Sequence, residues 1–533
     1  MTLERKVGQL FVTYAYGDRA VAPDPVDVAA NRAAHGVDDA ATLVRRYHLG
    51  GVIYFRWSRN LADPAQIAAL SNGLQRSATI PLLVGTDQEH GSVTRIGAPA
   101  TVLPGNMALG AGPQAEADTR AAADIAGREL RAMGVNQTYA PDADVNTEPA
   151  NPVIGVRSFG SDPESVARLT RAAVAGYQDA GVAATAKHFP GHGDTEVDSH
   201  TGLPVIGRSL DEWRRLDLPP FRAAVDAGVD SIMTAHIVVP ALDPSGDPAT
   251  LSRPIITGLL RGELGYDGVV VTDSLLMAGV RHRYADDRVP VLALAAGVDQ
   301  LLMPPDLDLA YHAVLAAVRD GELTEARIDA SVLRILRLKE VRGLLADPYV
   351  DEPPAGVGVP EHLATAQAIA DRTVTLIRND DALLPLVGVE RRILVTGWGV
   401  RTTAALAAAL SRRGHRVDAA VAAPTAEQVG AADLVVVTTN GLRADPAQRR
   451  LVAELGESGP PVVVVAVGEP YDAGHVTAPA CLVSYGHTAP SLEAVARVLL
   501  GEVAPVGRLP VPVPSADDPR VGACPAGWGL TYP

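Results

Sequence analysis

The chain of 533 residues carries 46 Lys and Arg against 62 Asp and Glu, a formal net charge of −16. That balance lacks the basic face a nucleic-acid binder needs and suits a neutral or selectively held ligand. Two cysteines, Cys481 and Cys524, cannot build a disulfide framework or a thiolate zinc site, which leaves room for one bridge at most.

The opening Met1-Thr2-Leu3-Glu4-Arg5-Lys6-Val7-Gly8 has no long apolar core and no small-residue cleavage site. The chain as given therefore reads as cytoplasmic, or as secreted if a leader has been trimmed. No run of about 18 apolar residues occurs, so no membrane span is expected. A length of this order asks for about two to four domains, each with its own core.

From residue 8 to about 305, short β-rich runs alternate with helical patterns. The first four runs are Leu10-Phe11-Val12-Thr13, Gly51-Val52-Ile53-Tyr54-Phe55, Leu82-Leu83-Val84-Gly85-Thr86 and Val135-Asn136-Gln137-Thr138-Tyr139-Ala140. Then come Ala183-Ala184-Thr185-Ala186, Ser231-Ile232-Met233-Thr234-Ala235, Gly268-Val269-Val270-Val271-Thr272 and Gln300-Leu301-Leu302-Met303. Ala/Leu/Arg-rich stretches long enough for crossover helices separate them, so the α/β pattern predicts a (β/α)8 TIM barrel over 1–340. Polar groups close several runs: Asp87, Asp142 with Asp144, Lys187 with His188, His236 and Asp273. These mark the carboxyl ends of the strands, where such a barrel keeps its active site.

Residues 345–362 turn to Pro, Gly and acidic composition, so 341–385 reads as a linker and connecting segment, with an extended run at Thr373-Val374-Thr375-Leu376-Ile377. Over 386–533 the runs Ile393-Leu394-Val395-Thr396, Leu434-Val435-Val436-Val437, Val462-Val463-Val464-Val465-Ala466-Val467 and Cys481-Leu482-Val483-Ser484 alternate with alanine-rich helices. A smaller α/β sandwich domain is expected there. Gly397-Trp398-Gly399 is not a dinucleotide loop, because Thr402 stands where the third glycine belongs.

The densest chemistry lies in Lys187-His188-Phe189-Pro190-Gly191-His192-Gly193-Asp194-Thr195-Glu196-Val197-Asp198-Ser199-His200. Pro190, Gly191 and Gly193 end the strand, which puts Lys187 and His188 at its tip and Asp198 and His200 on the loop beyond. One residue separates Asp198 from His200, so the carboxylate can orient an imidazole that moves protons near neutral pH. The same segment holds every zinc ligand type except thiolate, yet it matches no zinc motif, and neither a metal nor a cofactor is assigned. Asp87 and Arg95 offer a carboxylate and a guanidinium at the rim, a natural way to hold sugar hydroxyls, whereas Glu89 reads as a solvated residue or a salt bridge. Arg157 sits on the Pro/Gly-constrained loop Asn151–Gly160, with Asp144 or Asp162 as its alternative structural partner.

The segments Asp87–Arg95, Asn151–Gly160, Lys187–His200 and Val271–Met277 resemble those of bacterial β-N-acetylglucosaminidases of glycoside hydrolase family 3, the NagZ type, in their two-domain form. The most specific is K-H-F-P-G-H-G-D-T-x-x-D-S-H, which marks the N-acetylglucosaminidase branch of that family. The resemblance implies that Asp273 is the nucleophile of a retaining double displacement and His200 the acid and then the base, with Asp198 its partner. It also implies that Asp87, Arg95, Arg157, Lys187 and His188 hold the sugar, with His236 nearby. The implied substrate is a GlcNAc-terminated chito-oligosaccharide or peptidoglycan fragment, handled by a monomer with no nucleic-acid or membrane partner.

Two alternatives follow from the same residues. Phosphate could replace water, because an imidazole does not repel it as a second carboxylate would. A β-glucosidase or β-xylosidase would instead draw its acid from the second domain, where Glu469 or Asp472 are nearest. One departure stands out: His90-Gly91-Ser92 occupies a place where the branch often has Gly-Gly-Arg.

Overall fold

Continuous apolar and β-branched runs form strands that can be covered on both faces, and here they do so in the order expected for a parallel barrel. The computed structural model describes residues 1–532 apart from 389, 422 and 517–521. The first eight strands are β1 (Phe11–Thr13), β2 (Gly51–Ile53), β3 (Leu83–Thr86), β4 (Gln137–Thr138), β5 (Ala183–Phe189), β6 (Ser231–Thr234), β7 (Val269–Thr272) and β8 (Leu301–Leu302). They pair in parallel in the order β7-β6-β5-β4-β3-β2-β1-β8. A parallel bridge between Val271 and Gln300 joins the two ends and closes the barrel.

The strand β5 runs further than its sequence suggested, through Lys187, His188 and Phe189, with a register shift against β6 between Ala186 and Phe189. Inside the barrel, Val12, Ile53, Phe55, Tyr139, Met233, Val271, Leu302 and Met303 form a small apolar cluster of their own. The much larger cluster between the strands and the outer helices carries most of the core.

The second domain is a six-stranded sheet in the order β11-β10-β12-β13-β14-β9. Its members are β9 (Thr375–Asn379), β10 (Arg392–Gly397), β11 (Arg416–Ala420), β12 (Leu434–Thr439), β13 (Val462–Ala466) and β14 (Ala480–Val483). All pairs are parallel except β14 with β9. The extended run at 373–377, assigned above to the connecting segment, thus becomes the antiparallel edge of the second sheet, and the domain begins before residue 386. Cys481 and Cys524 are both free thiols.

The connection is tied down along its length. Glu129 accepts from the Gly358 N–H at 3.0 Å and meets His362 Nδ1 at 2.7 Å, and Arg372 pairs with Asp118 at 2.6 Å. Met107, Ala108 and Ala111 of the barrel share an apolar cluster with Tyr471, Leu509 and Val511 of the second domain. The loop after β13 reaches the face of the barrel at the carboxyl ends of its strands, where Asn146 Nδ2 donates to the Tyr471 hydroxyl at 2.8 Å. The second domain therefore braces the loop after β4.

At the opposite face of the barrel, Lys339 is fully buried and donates to Gln9 Oε1 at 2.7 Å. Burial pushes its ammonium down from 10.5 to about 7. Between those values the unfolded chain holds a proton that the folded chain has released, so stability rises with pH there and the full penalty applies below the folded value. Lys339→Met is expected to raise the thermal midpoint, and by more at about pH 6 than at about pH 9. Melting curves at both pH values check it, and a gain that does not shrink with rising pH counts against this assignment.

Candidate active site

A cavity of about 580 Å³ opens at the carboxyl ends of the barrel strands. Ile53, Phe55, Met233, Leu302 and Met303, members of the inner apolar cluster, form part of its wall. Asp87, Arg95, Arg157, Lys187, His188, Asp198, His200 and Asp273 all reach it, so eight of the nine residues expected from the sequence converge there.

The closed end is a lattice of buried charge. Glu89, 4% exposed, accepts Arg157 Nε and Nη2 at 2.9 Å each, a bidentate pair, and Lys187 Nζ lies 2.6 Å from its Oε1. Burial alone would raise the Glu89 carboxyl, but the charges of Arg157 and Lys187 hold it well below the usual carboxylate range. Lys187 also donates to Asp87 Oδ1 at 3.1 Å, and Arg95 lies 3.6 Å from Asp87 Oδ2. Of the two readings of Glu89 the salt bridge holds: it is the buried centre of the set, and Arg157 pairs with it rather than with Asp144 or Asp162.

Behind this lattice, His188 Nδ1 meets Asp144 Oδ2 at 2.6 Å, which fixes the ring and turns Nε2 towards Arg157, 3.4 Å away. Asp144 Oδ1 also accepts the backbone N–H groups of His188 and His192 at 3.2 and 2.7 Å. Asp142 is fully buried; its Oδ2 has no hydrogen-bond partner and lies 3.7 Å from Arg157. Burial first, and then the Asp144 charge, push its carboxyl well above the ordinary range. Asp142, Asp144 and His188 are close enough to one another to share a cation. Arg157 and Lys187 already supply positive charge at that place, and His188 already occupies Asp144. The wider ligand set weighed from the sequence is dispersed: His192 bonds Ser199, Asp194 bonds Arg208, and Asp198 bonds His200.

Asp273 follows β7, and its Oδ1 accepts the Ser274 N–H at 2.7 Å. Burial alone would raise its carboxyl, yet His188, His236, that N–H and Lys187 together hold it below the ordinary carboxylate value. It is therefore ionised at neutral pH, as a nucleophile must be. His236 is the exception among the expected residues. It is fully buried, does not reach the cavity wall, and its ring spans Thr250 Oγ1 at 2.8 Å and the Ser274 carbonyl at 3.0 Å. Its place is behind the Asp273 segment, which it supports. His90 likewise turns away from the cavity into a buried position, and burial pushes it down to about 4.

The loop after β5 has two parts. Its first half is packed: a methyl on Gly193 would lie 1.9 Å from the Val145 carbonyl, so only glycine fits. Asp194 then pairs with Arg208 at 3.0 Å and accepts from Thr147 Oγ1, on the loop after β4, at 3.1 Å. Its second half is open, with the His200 side chain 61% exposed. Asp198 Oδ1 accepts the His200 backbone N–H at 2.8 Å and meets ring Nδ1 at 2.7 Å, so Nε2 is the free nitrogen. Three contacts bring this loop to the cavity, one of them from the Ala278 N–H to the His200 carbonyl at 3.4 Å. His192 Nε2 meets Ser199 Oγ at 2.9 Å, and the Gly279 N–H donates to the Ser199 carbonyl at 3.2 Å.

The chain is similar to known proteins along both domains. Residues 2–338 match the glycosyl hydrolase family 3 N-terminal domain and residues 374–527 its C-terminal domain. A solved family 3 β-N-acetylglucosaminidase from a Paenibacillus species is 40% identical, with a TM-score of 0.87 over 96% of this chain and 99% of that one. A β-N-acetylglucosaminidase/β-glucosidase from Cellulomonas fimi is 32% identical over 95% of this chain and 93% of its own length. β-Hexosaminidase A of Pseudoalteromonas piscicida is 39% identical over 65% of this chain, a match that spans 62% of that enzyme.

A methyl group at Gly279 would lie 2.9 Å from the Gly202 carbonyl, 3.0 Å from that of Ser199 and 3.1 Å from that of His236. Gly279→Ala is therefore expected to push the His200 loop outwards. A displacement of that kind lowers kcat/KM by about 10²-fold. Steady-state kinetics beside thermal melts check it: full activity in the variant would mean that this contact does not set the loop.

Proposed function

The chain belongs to glycoside hydrolase family 3 as a hydrolase of the β-hexosaminidase kind, and on that premise we propose that it is a retaining exo-β-N-acetylglucosaminidase. Its substrate carries a terminal non-reducing GlcNAc on a chito-oligosaccharide or a peptidoglycan fragment. The observation that carries the reading is one cavity bearing an ionised carboxylate, Asp273, and an Asp198–His200 pair at 2.7 Å, with a closed end lined by charge.

In the first step an Asp273 oxygen attacks the anomeric carbon while the bond to the leaving oxygen breaks. The His200 imidazolium gives its Nε2 proton to that oxygen, and Asp198 stabilises the cation beforehand. In the second step neutral His200 takes a proton from water, whose oxygen attacks the anomeric carbon and frees Asp273. Microscopic reversibility lets one imidazole serve both steps. Asp87, Arg157, Lys187 and His188 present fixed donors and acceptors to the sugar hydroxyls, and a closed end suits a terminal residue rather than the middle of a chain.

The second-domain carboxylates do not favour the glucosidase mechanism. Neither lines the cavity: a Glu469 oxygen lies 2.9 Å from the position of a Gly155 Cβ, and Asp472 accepts the Leu442 N–H at 2.7 Å.

Asp273→Ala is expected to abolish turnover and the trapping of a glycosyl-enzyme by a fluorosugar, read by intact mass. His200→Ala should slow chitobiose by about 10²–10⁴-fold and an activated dinitrophenyl glycoside far less. Equal losses on both substrates would remove His200 from the acid role. Hexosamine 1-phosphate as the main product in phosphate buffer would replace water by phosphate as the acceptor.

A further inference from the structure

One wall of the cavity is aromatic, and the Asp198–His200 pair does not use it. Phe55 and Trp57, which follow β2, both line the cavity. Their rings stack with centroids 4.9 Å apart and planes 21° apart. Tyr14 and Tyr16, which follow β1, meet Trp57 edge-on at 4.8 and 5.8 Å. Tyr14 is packed in turn against Tyr16 and His35 at 5.7 and 5.1 Å. Trp57 nevertheless stays 51% exposed, whereas Phe55 is 8% exposed.

An indole held by three rings has lost most of its rotamer freedom before any ligand arrives. Covering its open face then costs little further entropy and removes apolar surface from water. An isolated exposed tryptophan needs no explanation, but one fixed in the wall of a reaction cavity presents a prepared surface.

The position of the wall selects what it meets. Glu89, Lys187 and His188 close the far end of the cavity, so the ring undergoing attack sits there. The group bonded to its anomeric carbon extends to the open rim, where Trp57 stands with Leu276, itself 37% exposed. A β-linked pyranose with equatorial substituents turns axial C–H bonds outwards on both faces, an apolar surface that matches an indole. An anionic side arm would need a free cation, yet the cavity-lining arginine beside this wall is already committed. Arg95 lies over the Phe55 ring at 5.8 Å and pairs with Asp87 at 3.6 Å.

We propose that Trp57, braced by Phe55, Tyr14 and Tyr16, is the stacking platform for the leaving-group sugar. It favours a neutral β-linked pyranose, as in a chito-oligosaccharide, over a leaving group that bears an anionic peptide arm. The proposal rests on the hexosaminidase reading above and names the leaving group of that same site.

The test compares full-length wild type, Trp57→Ala and Trp57→Phe on chitobiose and on the β-fluoride of N-acetylglucosamine, whose leaving group has no ring. Trp57→Ala should lower kcat/KM on chitobiose by about 10-fold, mainly through KM, with most of the loss recovered in Trp57→Phe. The fluoride should be cleaved by all three within about 2-fold, since stacking has nothing to act on. The wild type should also prefer chitobiose to a GlcNAc-MurNAc-peptide. Equal losses on chitobiose and fluoride, no loss on chitobiose, or a wild-type preference for the muropeptide would each overturn the proposal. If the wild type cleaves glucosyl fluoride instead of the N-acetylglucosamine fluoride, the hexosaminidase reading fails by itself. Cellobiose against glucosyl fluoride then reads the same platform.

Discussion

The site depends on one buried ionic lattice, Glu89 with Arg157 and Lys187. Removing such charges from water costs several kcal/mol per ion, and a lone carboxylate in this position would take up a proton instead. Here Glu89 is met by three charged donors at 2.9 Å or less, and Lys187 extends the set to Asp87. The lattice joins segments that follow β3 and β4 to the end of β5. Its worth is positional: Glu89 fixes both cations, and Lys187 in turn holds Asp87, so the groups that face the cavity keep one geometry. Replacing any member leaves a buried partner uncompensated, a larger loss than that of the pair itself.

On the mechanism proposed above, charge compensation also separates the work of Asp273 and His200. Asp273 sits inside the field of His188, His236 and Lys187, which keeps it ionised despite burial. His200 sits outside it, on the open half of the β5 loop, with Nδ1 held by Asp198. A nucleophile must be preorganised, whereas an acid/base group must exchange its proton with water once per cycle. The packed half of the loop and its Ser199 contacts let the exposed half return to one place without being buried there.

Much of this is legible in the sequence because strands covered on both faces are mostly apolar along their length, as most of the eight barrel runs are; β4, with Gln137 and Thr138 buried, is the exception. The edge strand β11 was not legible, since Arg416-Val417-Asp418-Ala419 faces solvent and reads as loop. Nor was the membership of β9, which is fixed by antiparallel pairing with β14 about a hundred residues later, a contact no local pattern encodes. At the site, residue types at strand ends could be found, but the direction of each side chain could not. That is why His236 reads as part of the sugar shell although it lies behind Asp273, and why Glu89 reads equally as solvated or salt-bridged although it is the buried centre of the lattice. Trp57 left a usable signal: the chain has only 4 Trp, and this one follows the end of a barrel strand.

The charged end and the aromatic wall divide recognition by physics. Hydroxyl-directed hydrogen bonds discriminate strongly because a missing partner leaves a buried polar group unpaired, so the lattice is the part that can read which sugar is bound. Stacking tolerates variation, because it needs only an apolar face of roughly the right shape. A terminal-residue hydrolase needs strict reading of the ring it cleaves and a more permissive hold on whatever that ring is attached to. Placing buried ions at the closed end and an exposed, braced indole at the rim meets both demands. The second domain's part in this follows from Tyr471 and the Met107–Ala111 packing. It fixes the loop carrying Arg157, and so holds the lattice to the geometry on which the strict half of recognition depends.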